Sequence, residues 1–267
     1  MAALASLAGE GRARISVRDG WEEDQAMYED GFNPRIAKMC AWSGVVFCFM
    51  WLIAGTAISG YQYVPPPSAA LPAGQVASDY STKQLALMIA VTVMNFSTIA
   101  YITWGVVVSL MVKKVEGEWP LLFNIQMVSL AVCAVVILYL AYFWAAATWR
   151  AGETLPEITQ LMNDLGWLGV LYTGAPFASY QIALGLVTLA DRSEHPVYPR
   201  WSAYYNFFVS FFMFEAAGIL FFKTGPFSQN GLFVFWLPIV FFFVWIVLFS
   251  WLGARAVQAE VARREAA

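Results

Sequence analysis

A single histidine, His195, and three scattered cysteines, Cys40, Cys48 and Cys133, are all that this 267-residue chain offers a soft metal or a haem. One imidazole cannot build a bis-histidine haem site or a histidine-rich di-iron or copper centre, and no two cysteines stand at CxxC spacing. Intramembrane redox centres, zinc knuckles and a disulfide framework are therefore disfavoured, and no metal or cofactor is expected. Charge is scarce as well. Only 12% of the residues are charged, where a soluble domain carries about a quarter. The net charge of −3 gives no concentrated basic surface, which excludes a nucleic-acid partner. The first 37 residues lack the apolar core and small-residue cleavage site of a removable signal peptide, so the first apolar stretch is expected to serve as an uncleaved anchor.

What the chain does have is apolar length. Stretches at Met39–Gly60, Leu85–Val112, Leu121–Trp149, Leu165–Ala190, Tyr204–Phe222 and Gly231–Ala254 meet or approach the roughly 20 apolar residues that a helix needs to cross ~30 Å of hydrocarbon. The lipid bilayer is the partner this composition demands. The spans predict an all-α, polytopic bundle of six transmembrane helices. Of the 15 Lys and Arg, 12 fall on one side of the alternating segments and 3 (Lys83, Arg150 and Lys223) on the other. Positive charge stays inside, so both termini are expected in the cytoplasm. Three parts follow: a cytoplasmic arm at 1–37, a transmembrane domain at 38–256 and a cytoplasmic tail at 257–267.

The arm carries a mixed-charge run, and its Trp21, Met27, Tyr28 and Phe32 suit either a solvated tail or an amphipathic stretch against a membrane or partner. In the first outer loop, Val64-Pro65-Pro66-Pro67-Ser68 predicts a stiff polyproline exit, because each proline locks its own φ. Pro72 suits the first turn of a short helix running to about Tyr80. Leu71, Val76 and Tyr80 would lay that helix flat on the bilayer, as a spacer or as a lid over an outward-facing cavity. Residues Thr154 to Asn163 read as a second brief outer helix. His195, in a polar inner loop, reads as an exposed loop residue.

Within the spans, Glu215 is the conspicuous acid. A carboxylate facing lipid costs several kcal/mol, so it must face the bundle, find a partner or hold a proton. Asn95, Gln181 and Tyr180 are candidates to share a cavity with it. Asn124, Gln126 and Asn206 sit nearer the cytoplasmic face as interhelical ties. Pro176 and Pro238 free carbonyls in spans four and six, which marks either a site or a kink. Of the 12 tryptophans, Trp42, Trp119, Trp149, Trp167, Trp201 and Trp251 fall at span ends, as an interfacial belt requires. Trp51, Trp104, Trp144, Trp236 and Trp245 lie deeper, either in helix packing or around an apolar ligand. Gly117, Pro120 and Asn124 before span three loosely echo Gly225, Pro226 and Asn230 before span six, too little to establish an inverted repeat.

The Val64-Pro65-Pro66-Pro67-Ser68 loop with Gln75-Val76-Ala77, the Val115-Glu116-Gly117 turn, Pro199-Arg200-Trp201, and Gly225-Pro226-Phe227-Ser228-Gln229-Asn230-Gly231 together resemble a family of uncharacterised bacterial six-span integral membrane proteins. That family carries Ala-Trp where this chain has Ser228-Gln229. The resemblance implies a bacterial inner membrane and carries over no catalytic residue. Two functions stand foremost: transport or binding of a small, apolar molecule, or a non-catalytic subunit that meets membrane-protein partners or its own copies. A membrane enzyme comes third. Its acids, Asp164, Asp191 and Glu215, are spread from one face to the other, and no Ser–His, Cys–His or HExxH arrangement accompanies them.

Overall fold

A computed structural model describes residues 31–266. The part of the arm that contains Trp21, Met27 and Tyr28 lies outside the described residues. Among those described there is no strand, and six helical segments are long and apolar enough to cross a bilayer. The chain is an all-helical, multi-pass membrane protein. Lipid offers no partner for backbone groups, so each crossing must satisfy its own in a helix.

Helix α1 (Pro34–Ile53) is started by Asn33, whose Oδ1 accepts from the N–H of Ile36, with Pro34 in the first turn. A short helix α2 (Ala73–Thr82) precedes the long crossings α3 (Gln84–Lys113) and α4 (Leu121–Trp149). Then come α5 (Pro156–Leu171), α6 (Ala175–Ala190), α7 (Arg200–Glu215) and α8 (Leu237–Glu265). α3 packs on α1 and α4, α4 on α5 and α6, α6 on α7, and α8 closes the bundle against α1. The two ends of the described chain meet on one face, where the Arg264 guanidinium lies 4.4 Å from the Phe32 ring. We call this the tail face and the opposite one the cap face. At the α1–α3–α8 crossing, Gly44 leaves room for Trp104 and Ser250, which a Cβ there would meet within 2.5 Å. Close approach of this kind replaces hydrophobic drive where both solvents are oily.

Span four differs from its sequence-based expectation. No separate helix covers Thr154 to Asn163: α5 runs from Pro156 through Asn163 and Asp164 to Leu171, and the chain breaks at Tyr172–Gly174 before α6. Asn163 and Asp164, which lie at the junction of the two expected segments, have partners inside the protein: Asn163 accepts from the Tyr80 hydroxyl at 3.0 Å and donates to Asp164 at 3.2 Å. The actual break belongs to Pro176, which lacks an N–H and whose ring would clash with the carbonyl of Tyr172, four residues back.

The first cap-face loop is also corrected. Rather than leaving stiffly, the chain folds back on α1, with the N–H of Val64 donating to Gly55 O at 2.9 Å, and the Val64–Pro65 bond is cis. α2 begins after Pro72 as expected, yet Val76 and Tyr80 are buried in protein rather than laid on lipid. The apolar face of α2 packs chiefly on α5. Trp167 also departs from the interfacial belt: it is 2% exposed and sits in the cap-side core with Tyr63, Tyr80, Trp144 and Phe235. The other five belt tryptophans are exposed.

On the tail face, Asp191 shapes the loop that exposes His195. Its carboxylate accepts from Ser193 Oγ at 2.6 Å, from the N–H of Ser193 at 3.1 Å and from the N–H of Val197 at 2.8 Å. Burial alone would raise its pKa, but these hydrogen bonds, with Lys114 nearby, outweigh burial and hold it below the ordinary carboxylate value. A lowered pKa contributes stability that is complete above the unfolded value of about 4 and is lost as pH falls through the folded one. Peptic cleavage of the 191–199 loop in detergent should therefore rise below about pH 4. In Asp191→Ala it should already be high above that value. Equal cleavage of both proteins across the range would contradict this role.

Candidate functional site

Three of the six crossings lose regular α-helix at their cap-side ends, and a fourth breaks at mid-span. α1 ends in a π-helical turn at Ala54–Ile58, where Thr56 Oγ1 donates to Leu52 O and Ser59 Oγ to Gly55 O. Span four breaks between α5 and α6. α7 passes into a 3-10 turn at Ala216–Leu220, and α8 is preceded by a π-helical turn at Leu232–Trp236, with Pro238 in its own first turn. Proline accounts for two of these departures, since Pro176 and Pro238 each remove a donor and crowd the preceding turn.

An apolar cavity of about 70 Å³ lies where these irregular segments converge, with Gly174, Met213, Ala216 and Pro238 among its walls. That is room for a few water molecules, but almost no polar surface faces it. Beside it a larger groove of about 290 Å³ runs between the end of α1 and the start of α8, and its wall presents no polar surface. Trp51, Val170, Ile239 and Phe243 belong to both walls, so cavity and groove are separated by one layer of side chains. The groove is edged by Leu52, Val240 and Val244, which are 52%, 48% and 50% exposed on the lipid-facing surface.

Tyr63 and Val64, from the folded-back loop, contribute to the groove as well. The cap is tied down by Gln160 donating to Leu71 O, Gln229 to Pro67 O, and Tyr80 to Asn163, each at 3.0 Å. In the groove wall, the indole nitrogens of Trp51, Trp144 and Trp167 are buried with no acceptor among the described residues.

The four polar residues singled out in the sequence do not meet here. Glu215 closes α7 half-buried, with Oε2 unpartnered among the described residues, and it is absent from both apolar walls although Met213 and Ala216 belong to one. Asn95 is half-buried beside Met94, a groove residue, and is itself outside the wall. Tyr180 ties α6 to α3 by donating to Gly105 O at 2.9 Å, with Ser109 Oγ also at 2.9 Å. Gln181 is 0% exposed, with both amide atoms unpartnered among the described residues. Asn206 does act as a tie, accepting from Trp245 Nε1 at 2.7 Å. Gly169, Val170 and Ile239 line the cavity without any signal in the sequence, being apolar residues in apolar spans; the two prolines were the only marker. Comparison of the chain with protein-family models, with curated proteins and with solved structures gave no match.

Proposed function

We propose that this chain is a bacterial inner-membrane protein, both termini cytoplasmic, that takes a small apolar molecule from the lipid phase and binds or transports it. One observation carries this reading: a dry groove opens sideways toward lipid and abuts a cavity where four helices are irregular. Broken helices at membrane depth are tolerated where they face protein or a cavity, and they are the places where packing can rearrange. The ligand is a compact hydrocarbon-like body, since the groove wall presents no polar surface and the indole nitrogens of Trp51, Trp144 and Trp167 and the Tyr63 hydroxyl are buried behind it. Glu215, adjacent in sequence to Ala216 of the cavity wall, is the group assigned to proton coupling, with Asn95, Tyr180 and Gln181 as supporting polar positions in the bundle.

The test is purification in mild detergent and mass-spectrometric identification of apolar molecules that stay with the protein. Val170→Trp puts an indole at the boundary between groove and cavity. It should lower the retained ligand at least tenfold while helicity is kept. Full retention by a folded Val170→Trp would overturn the proposal.

A second reading, the non-catalytic subunit, is favoured by α7. There Trp201, Tyr204, Phe208, Phe211 and Phe214 form an exposed aromatic ridge at helical spacing. A stoichiometric partner protein in the same purification, with no ligand, would favour it.

A further inference from the structure

A different pocket, on the tail face, combines an apolar floor with a cationic rim. It measures about 640 Å³ and is built from the end of α3, the 191–199 loop and the last turns of α8. Met111, Val197, Leu252 and Ala256 supply the floor, and Lys114, His195, Arg255 and Arg263 the rim. The one carboxylate in the wall, Glu260, is already engaged: Oε2 meets Lys114 Nζ at 2.8 Å, and Oε1 meets Arg263 at 2.6 Å and Arg264 at 3.1 Å. Three permanent cations thus face a single carboxylate. Arg255 has no ion pair among the described residues, and its guanidinium instead lies 4.9 Å from the centre of the exposed Trp251 ring. An exposed tryptophan beside an arginine at the end of an apolar span marks the depth of lipid headgroups.

We infer that this pocket binds the phosphate diester of a lipid headgroup, with Arg255 as its principal ligand and the apolar floor receiving the glycerol end of the acyl chains. A basic pocket between membrane helices, level with the headgroups, has the chemistry for that anion. The planar fork of Arg255 suits two phosphate oxygens at once, whereas Lys114 and Arg263 are shared with Glu260. The pocket far exceeds a bare phosphate ion, and its apolar floor would gain nothing from one. The Asp191 carboxylate, by holding Ser193 and Val197, keeps the loop that forms one wall in place.

The test uses the full chain in non-ionic detergent and native mass spectrometry, with phosphatidylglycerol, phosphatidylcholine or inorganic phosphate added in turn. Wild type should retain phosphatidylglycerol about tenfold better than phosphatidylcholine, because only the former presents net negative charge to the rim. Arg255→Gln should lower that retention about tenfold, and Arg255→Lys should recover part of it. His195→Gln, in an exposed loop that cannot unfold the bundle, should lower it about threefold. Equal retention of the two lipids, or wild-type retention by folded Arg255→Gln and His195→Gln proteins, would overturn the site. Displacement of the lipid by millimolar inorganic phosphate would overturn the headgroup assignment and make the ligand a free anion.

Discussion

Gly174→Ala should prevent span four from seating against span five and sharply reduce the yield of folded protein. The added Cβ would lie 2.2 Å from Met213 O and 2.9 Å from Met213 C, both backbone atoms that no rotamer change can move. Gly174 has φ −68, a conformation alanine adopts freely, so nothing about the dihedral opposes the change. As the N-cap residue of α6, glycine is also preferred to alanine. The larger part of the effect comes from contact: beside the cavity that Gly174 and Met213 both line, the α7 backbone must retreat by roughly 1 Å, which costs about 3 kcal/mol at the upper end of overpacking effects. Thermal unfolding and size-exclusion profiles in detergent read this directly. Gly74→Ala is the matched control, lying inside α2 with nothing within 4 Å of its Cβ. It should be neutral, or stabilise by about 0.5–1 kcal/mol. Indistinguishable behaviour of the two variants would refute the close-approach account of the break.

The six crossings were legible because hydrocarbon imposes one rule on composition, and Leu121–Trp149 was read to the residue. Limits drawn from hydropathy failed where polar residues find partners inside the protein. Asn163 and Asp164 looked like the end of a water-facing helix because a sequence does not reveal that Tyr80, more than eighty positions away, supplies the hydrogen bond. Amphipathicity failed for a related reason. The apolar face of α2 requires something apolar to cover it, and spacing alone cannot choose between lipid and α5. Trp167 followed the same logic, since nearness to a span end placed it in the interfacial belt while the neighbouring Gly166 admits Trp144 and buries them together.

The candidate site was less legible than the fold. Sequence reasoning weighs polar residues in apolar spans, whereas the cavity and groove are walled by ordinary apolar side chains, made distinctive only by where helices break. Pro176 and Pro238 carried the usable signal, because proline changes backbone geometry regardless of what surrounds it. Tyr180 and Asn206 were conspicuous for a different reason: each spends its polar group on holding two helices together, through Gly105 and Trp245 respectively.

Trp144→Ala should loosen the cap and the groove together. The indole is 1% exposed, stacks on Tyr63 with ring centroids 4.2 Å apart, and meets Trp167 edge-on at 5.1 Å. Truncating a fully buried tryptophan costs about 3–5 kcal/mol, because its neighbours lose their dispersion contacts and only partly collapse into the space. Here the loss falls on Tyr63, which anchors the folded-back loop, so the cap should open locally before the bundle unfolds. Ala147→Cys, at a position 3% exposed in the cap-side core, should resist a water-soluble maleimide in the parent protein and react in the Trp144→Ala background. A double-mutant cycle with Tyr63→Leu should give a coupling of about 1 kcal/mol, the value typical of a stacked aromatic pair. Trp144→Phe separates ring from donor. Since the indole N–H has no acceptor among the described residues, removing it sacrifices no hydrogen bond, and phenylalanine should restore most of the stability that alanine loses. If phenylalanine proves as damaging as alanine, the N–H is held by a bound molecule, and the groove wall is not dry.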